Sequence, residues 1–258
     1  MGNVRHRFAW MTRPQLFVGF LVICLCVGAL GSVFRAVYAS PITTGLSPQV
    51  RGAQVELELN CHRLPCLALT FDDGPESGVT PRILDILANE HVTATFFVVG
   101  KRVPGNEGIL RRMHAEGHEI GNHSWSHPNL TKMLPAEVDA ELAATQRAVI
   151  AAGVPAPRIL RPPYGAVNDI VKSHAKMSIV RWDIDPEDWK VRDPALINAG
   201  IMAQAKPGGI ILLHDIYSET ADALTPAIEQ LKSRYQFVTV SQLMNLSAGD
   251  QGQYFGYK

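Results

Sequence analysis

Beyond residue 66 the 258-residue sequence alternates short apolar or β-branched runs with helical segments, seven times over. That alternation predicts an α/β fold on a parallel sheet. Two further observations frame the expectation: aspartates and histidines collect just after the runs, and an uncharged stretch near the N-terminus stands apart from the rest. Seven βα units suit either a distorted barrel or an open doubly wound sheet, and periodicity alone does not separate the two. Both architectures carry their chemistry at the C-terminal ends of the strands.

The elements follow in chain order. Arg5, Arg7 and Arg13 precede residues 16–34, which hold 19 residues without a charge. As a helix that stretch is about 28 Å long, close to the hydrocarbon thickness of a bilayer. Only Arg35 closely follows it, so the positive-inside bias predicts a cytoplasmic N-terminus over 1–15, a transmembrane anchor over 16–35 and an extracytoplasmic remainder. A cleaved signal peptide is the rival, because Val37-Tyr38-Ala39 ahead of Ser40 resembles a small-residue cleavage site. Against it, the apolar run exceeds the roughly 7 to 15 residues of a signal core. The first reading makes a single-pass cell-membrane protein; the rival secretes the chain after cleavage near Ala39. Cys24 and Cys26 read as apolar thiols inside the stretch.

Residues 36–65, with Pro41, Gly45, Pro48 and Gly52, read as a linker. Cys61 and Cys66 are expected to close a small disulfide ring at the domain's entrance, as an exported protein permits. The expected strands are 67–71, 93–99, 118–122, 158–160, 178–183, 209–213 and 236–240. Helices are expected at 80–89, 109–116, 136–152, 194–205, 221–233 and 241–246, with Gly117, Gly153 and Pro207-Gly208 as stops. The domain thus runs over 66–246, and the 247–258 tail carries no signal.

Composition narrows the function. Hydrophobic residues make up 47% and charged residues 19%, which excludes a disordered chain. The 24 Lys+Arg cancel the 24 Asp+Glu, so no basic field exists to hold phosphate backbones, and nucleic acid is not an expected partner. Four cysteines are too few for a disulfide scaffold. No obligate protein partner is indicated.

Placed on the expected strands, the ionisable residues converge on one face. Asp72-Asp73 closes the first strand, His123 and His127 follow the third, Arg161 the fourth, Asp183 to Trp189 the fifth, and His214-Asp215 the sixth. Thr70-Phe71-Asp72-Asp73-Gly74-Pro75 and His123-Ser124-Trp125-Ser126-His127-Pro128 resemble motifs of the polysaccharide deacetylases of carbohydrate esterase family four, whose shared unit is the NodB homology domain. Arg161-Pro162-Pro163-Tyr164-Gly165, Asp185-Pro186-Glu187-Asp188-Trp189 and Leu212-Leu213-His214-Asp215 resemble the remaining motifs, in order. The resemblance implies a distorted (β/α) barrel and metal-dependent removal of acetyl groups from amino sugars, usually N-acetylglucosamine in a polymer.

Elementary chemistry reads the same residues in parallel. Neighbouring side chains at the end of a regular strand point opposite ways, so Asp72 and Asp73 must divide their roles. His123 and His127 with one carboxylate make the three protein ligands of an open catalytic site. Nitrogen and oxygen donors without thiolate suit Zn²⁺ and are compatible with Co²⁺, Mn²⁺ or Ni²⁺. By the resemblance Asp73 is the ligand and Asp72 the base. Arg161 is expected to pair with Asp72 and hold it ionised. Pro162 and Pro163 stiffen the loop so that the Tyr164 backbone N–H can face the oxyanion, as the resemblance implies. His214 is the expected acid, with Asp188 as its carboxylate partner and Asp185 in reserve. Trp189 and Leu212, with Pro163, correspond to the apolar substrate pocket around the acetyl methyl group. Trp125 is either a sugar-stacking or a core aromatic. His6, His62, His91, His114, His118 and His174 match no motif.

The expected substrate is an acetylated amino-sugar polymer of the cell wall, with peptidoglycan favoured by tethering at the outer membrane face. An O-acetyl esterase on xylan, a chitin or exopolysaccharide deacetylase, and a non-catalytic glycan-binding wall protein are the alternatives.

Overall fold

A computed structural model describes Cys61, residues 64–246 and the backbone of residues 254–255. The expectations for residues 1–60, the membrane stretch included, lie outside the described residues. Among the described residues no helix is long and apolar enough to cross a membrane.

The sheet is wholly parallel and curls into a half-barrel. Its strands are β1 (Cys66–Asp72), β2 (Thr95–Val98), β3 (Glu119–Asn122), β4 (Ile159–Leu160), β5 (Ser178–Val180), β6 (Ile210–His214), β7 (Gln236–Val238) and β8 (Tyr254–Phe255). They lie in the order β6-β1-β2-β3-β4-β5-β8, with β7 on β1. The strand β1 is central: all seven of its residues are buried, and it pairs with β6, β2 and β7. A continuous apolar run of this kind is what a strand covered on both faces requires. Between β5 and β6 the gap is spanned by one bridge, Ile184 to Ile211.

The helices are α1 (Thr80–Glu90), α2 (Glu107–Ala115), α3 (Pro135–Ala151), α4 (Asp169–His174), α5 (Asp188–Val191), α6 (Pro194–Gln204), α7 (Ser218–Leu231) and α8 (Val240–Leu243). Their formation follows local chemistry. In α1 the buried Ile83, Leu84 and Leu87 share one face at helical spacing, and left-handed His91 (φ 56°) ends the helix. At the start of α6, Asp193 accepts hydrogen bonds from the N–H groups of Ala195 and Leu196 at 2.9 and 3.0 Å, a side-chain N-cap. The main core packs these helices against the sheet through Leu67, Leu69, Phe71, Phe96, Leu213 and Leu224. Full burial of such side chains contributes about 1.5–3 kcal/mol each.

Several boundaries differ from expectation. The strand expected over 178–183 stops at Val180, because the chain turns toward β6: the Asp183 and Ile184 N–H groups both donate to the Ile210 carbonyl at 3.2 Å. The tail, which carried no signal, pairs as β8 with β5 and gives an eighth strand instead of seven. Helices α4 and α5, six and four residues long, were not anticipated; neither is long enough to show a 3.6-residue period. The expected ring is present: Cys61 and Cys66 form a disulfide with Cα atoms 5.1 Å apart.

Candidate active site

The parallel pairing of β1 with β6 sets Asp72 directly beside His214. Asp72 is buried at the end of β1. Arg161, which follows β4 and has no exposed surface, donates from one terminal nitrogen to Asp72 Oδ1 and to Thr70 Oγ1, both at 2.7 Å. Its other terminal nitrogen donates to the Arg181 carbonyl at 3.1 Å, and the guanidinium lies 4.1 Å above the Phe97 ring. Burial pushes the Asp72 carboxyl up, and the Arg161 charge works against that rise. Removing either partner would leave a buried, uncompensated charge.

At Asp73 the chain leaves strand geometry, with φ at 76°. This carboxylate is thereby aimed at the two histidines: Oδ1 lies 3.5 Å from His123 Nε2 and 3.3 Å from His127 Nε2. Asp73 Oδ1 is buried and has no hydrogen-bond partner. His123 donates from Nδ1 to the Arg161 carbonyl at 2.6 Å, which leaves the Nε2 lone pair facing Asp73. Burial, against the opposing charge of Asp73, lowers the His123 pKa to about 3, so the ring is neutral as a metal ligand must be. Ligand atoms of Asp73, His123 and His127 all lie within 4.8 Å of one another. An orphaned carboxylate oxygen between two imidazole nitrogens fits a divalent cation with N and O donors.

The loop bearing these histidines is held in an unusual backbone. Ser124 and His127 have φ of 61° and 62°, a region costly for residues with a side chain. Glu141 of α3 compensates by accepting from the Trp125 and Ser126 N–H groups at 2.9 and 2.8 Å and from Ser126 Oγ at 2.8 Å. Asn122 Oδ1 accepts from the Ser124 N–H at 2.8 Å.

Across the cavity His214 Nδ1 donates to Asp188 Oδ1 at 2.8 Å. Asp188 is fully buried and also accepts from the His214 N–H at 2.8 Å and from Thr220 Oγ1 at 2.7 Å. Asp185 instead accepts from the Glu187 N–H. Burial alone would lower the His214 pKa; the hydrogen bond and charge of Asp188, with the charges of Asp72 and Asp73, overcome it and raise the pKa to about 9.

The cavity holds about 420 Å³. Asp72, Asp73, His123, His127 and His214 line its floor, while Tyr164, Trp182, Trp189, Leu212 and Tyr217 form its walls. Trp189 is 49% exposed and Tyr164 67%, so both rings stand at the rim. Tyr164 has φ of 62° and meets the His127 ring edge-on at 4.8 Å. Pro163, expected in the substrate pocket, is buried in the loop and is not among the residues lining this cavity. Trp125 is half-buried and packs against Gly100, also outside the lining. A larger space of about 750 Å³ opens at the N-terminal ends of β3 and β4, beside Glu119 and Arg158. It contains none of the converging groups.

Residues 60–179 match the family model described as polysaccharide deacetylase. The peptidoglycan-N-acetylglucosamine deacetylase PgdA of Listeria monocytogenes is 44% identical over 190 residues, covering 73% of this chain and 41% of that protein. PdaC of Bacillus subtilis, named a peptidoglycan-N-acetylmuramic acid deacetylase, is 47% identical over 178 residues, 69% of this chain and 38% of its own. The solved structure of PdaC aligns with a TM-score of 0.69 at 46% identity, covering 70% of this chain and 91% of that one. The chain belongs to the polysaccharide deacetylase family. A family 4 acetyl xylan esterase from Clostridium thermocellum, solved with a cobalt ion, aligns with a TM-score of 0.69 at 36% identity, over 74% of this chain and 97% of that one. The chain thus spans less than half the length of the curated relatives PgdA and PdaC.

In this family member the five motif stretches surround one cavity, and the structure adds supporting roles that the sequence does not show, for Asp215 inside a motif and for other residues outside the motifs. Asp215 is buried; it accepts from the Gly74 N–H at 2.9 Å and from Thr80 Oγ1 at 2.7 Å. A Cβ at Gly74 would collide with that carboxylate, so the loop after Asp73 requires glycine. Trp182 and Tyr217 lie just beyond β5 and β6, where the C-terminal-end rule could have found them. Glu141 sits on a helix outside every motif, and no sequence signal marks it.

Proposed function

We propose that the chain is a metal-dependent hydrolase that removes N-acetyl groups from N-acetylglucosamine residues of a cell-wall polysaccharide, with peptidoglycan as the substrate. One observation carries the reading: the Asp73–His123–His127 cluster lies between an Arg161-held carboxylate and an Asp188-held imidazole in a single cavity. The names of PgdA and PdaC support peptidoglycan.

Asp73, His123 and His127 would hold the ion, Zn²⁺ by donor type. When bound, a divalent cation supplies Lewis acidity toward the water and the acetyl carbonyl. The remaining work belongs to the protein. Asp72, held by Arg161, takes a proton from water as oxygen adds to the carbonyl carbon. The backbone N–H of Tyr164 donates to the oxygen that gains charge. His214 then gives its Nε2 proton to the nitrogen as the C–N bond breaks, releasing acetate and a free amine. Asp188 keeps that proton on the ring at neutral pH. Trp189 and Leu212 enclose the methyl group, where each extra methylene costs about 1–3 kcal/mol of discrimination.

The chain is proposed to work outside the cell, tethered by residues 16–35; resistance of the protein to carbonate extraction from membranes would support the tether, and full release would refute it. An O-acetyl esterase is the second reading, favoured by the match to the Clostridium thermocellum esterase. Acetate release from N-acetylglucosamine oligomers and from acetylated xylan, measured side by side with and without chelator, separates the two. Release from xylan alone would overturn the N-deacetylase reading.

A further inference from the structure

The cavity does not end at the three proposed ligands. Past Asp73, His127 and Tyr164 it continues into a depression of about 340 Å³ whose far side is Val99, Lys101, Arg102 and Ser126. The two halves differ in chemistry. The first has walls of Trp182, Trp189, Leu212 and Tyr217, suited to a sugar face and a methyl group. Beyond the shared Tyr164, His127 and Asp73 carboxylate, the second has one apolar side chain, Val99, and two cations.

Those cations are not equivalent. Arg102 is engaged by Glu76, at 2.9 Å. Lys101 is exposed, and its Nζ reaches only the Ser126 carbonyl, at 3.5 Å; among the described residues no carboxylate forms an ion pair with it. Its backbone position is nonetheless rigid. The Gly100 and Lys101 N–H groups donate to the Ser124 and Trp125 carbonyls at 2.9 Å each, so the turn carrying Lys101 is fastened to the loop carrying His123 and His127. Glu141 clamps that loop in turn. The Lys101 backbone is therefore kept beside the reacting centre, and its ammonium has the Ser126 carbonyl but no carboxylate within ion-pair distance among the described residues.

A neutral polymer offers such a group nothing that water does not. An anion does, because a hydrogen bond to a charged partner is worth about twice a neutral one. We propose that Lys101 forms an anion subsite next to the reacting sugar, filled by a carboxylate on the adjoining residue of the glycan, as the lactyl acid of a muramic residue provides. This rests on the deacetylase reading and deepens it, from peptidoglycan as the substrate to the acid that the site recognises on it.

The test compares two versions of peptide-free peptidoglycan strands, one with free lactyl carboxylates and one with those carboxylates converted to methylamides. Acetate release gives kcat/KM for each, and the ratio of the two is the readout. The unaltered protein should favour the free acid, and added salt should erode that preference. Lys101→Gln should lower the ratio roughly tenfold, chiefly through KM, while Lys101→Arg should restore it. An unchanged ratio in Lys101→Gln, or equal losses on both strands, would overturn the subsite. Strands whose lactyl groups carry peptide with free carboxyls are run beside these two, and a preference for them over the free acid would move the anion to the peptide and also overturn it. Acetate release from neither strand by the unaltered protein would instead remove the deacetylase reading on which the subsite depends.

Discussion

His123 and His214 face the same cavity from opposite sides, and both are largely withdrawn from water. Their protonation is opposite: His123 is held near a pKa of 3 and His214 near 9. Burial lowers both, and at His123 it prevails over the nearby Asp73 charge. At His214 the partner reverses it. Nδ1 of His123 meets a backbone carbonyl, which orients the ring but brings no charge. Nδ1 of His214 meets the carboxylate of Asp188, which stabilises the imidazolium. One imidazole is thereby left as a neutral ligand, and the other is kept as an acid.

The largest test of that contrast strikes the ligand side. His127→Ala leaves two protein ligands, so bound metal and activity should disappear together, as read by elemental analysis and acetate release. Stoichiometric zinc and a normal rate in this variant would show that the cluster is not the metal site.

Asp72→Asn should separate chemistry from metal binding. Base loss lowers the rate by roughly 10²- to 10⁴-fold, while Asp73, His123 and His127 keep their ion. An empty site in the purified variant would make Asp72 a ligand and exchange the roles of the two aspartates.

Asp188→Asn addresses the acid side through pH. His214 must carry its proton to act, so kcat/KM falls on the alkaline side as the imidazolium is lost. Removing an anionic neighbour lowers a histidine pKa, and the alkaline limb should therefore move to lower pH. Stability should change in step. The folded pKa of about 9 lies above the unfolded value of about 6.5. Stabilisation from the raised His214 pKa, to which Asp188 contributes first and Asp72 and Asp73 after it, is thus complete below pH 6.5 and is lost as pH rises through 9, amounting to about 3 kcal/mol at most. Denaturant titrations of both proteins at pH 6 and pH 10 should show their difference shrinking. A fixed difference and an unmoved limb would dismiss Asp188 as the group that holds the proton.

Gly74→Ala probes the ground between the two histidines. Its methyl group would displace Asp215 from the loop that presents Asp73, at a cost of about 1–3 kcal/mol. A thermal melt matching the unaltered protein would show that the loop yields freely.

The smallest effect belongs to the ring at the start of β1, remote from both histidines. Joint replacement of Cys61 and Cys66 by serine should cost less than the roughly 3 kcal/mol of a 15-residue loop and leave the pH profile in place. A displaced alkaline limb in that variant would mean that the profile reports general stability rather than His214.

By itself the sequence determined the α/β class, most strands to within a few residues, the disulfide pair and the set of polar residues at one end of the sheet. These were legible because each depends on neighbours along the chain: an apolar run such as 67–71, a stop such as Gly117, or a motif such as Asp72-Asp73-Gly74-Pro75. Tertiary structure alone decided the rest. The expected partner Asp188, with Asp185 in reserve, does meet His214, but what holds it there is the packing of α5 against β6; the two aspartates stand three positions apart in sequence. The supports from Glu141 and Asp215 and the strand formed by the tail were hidden. A hydrogen bond across the fold is set by where the sheet curls and how helices pack on it, and that is a property of the whole chain rather than of any stretch.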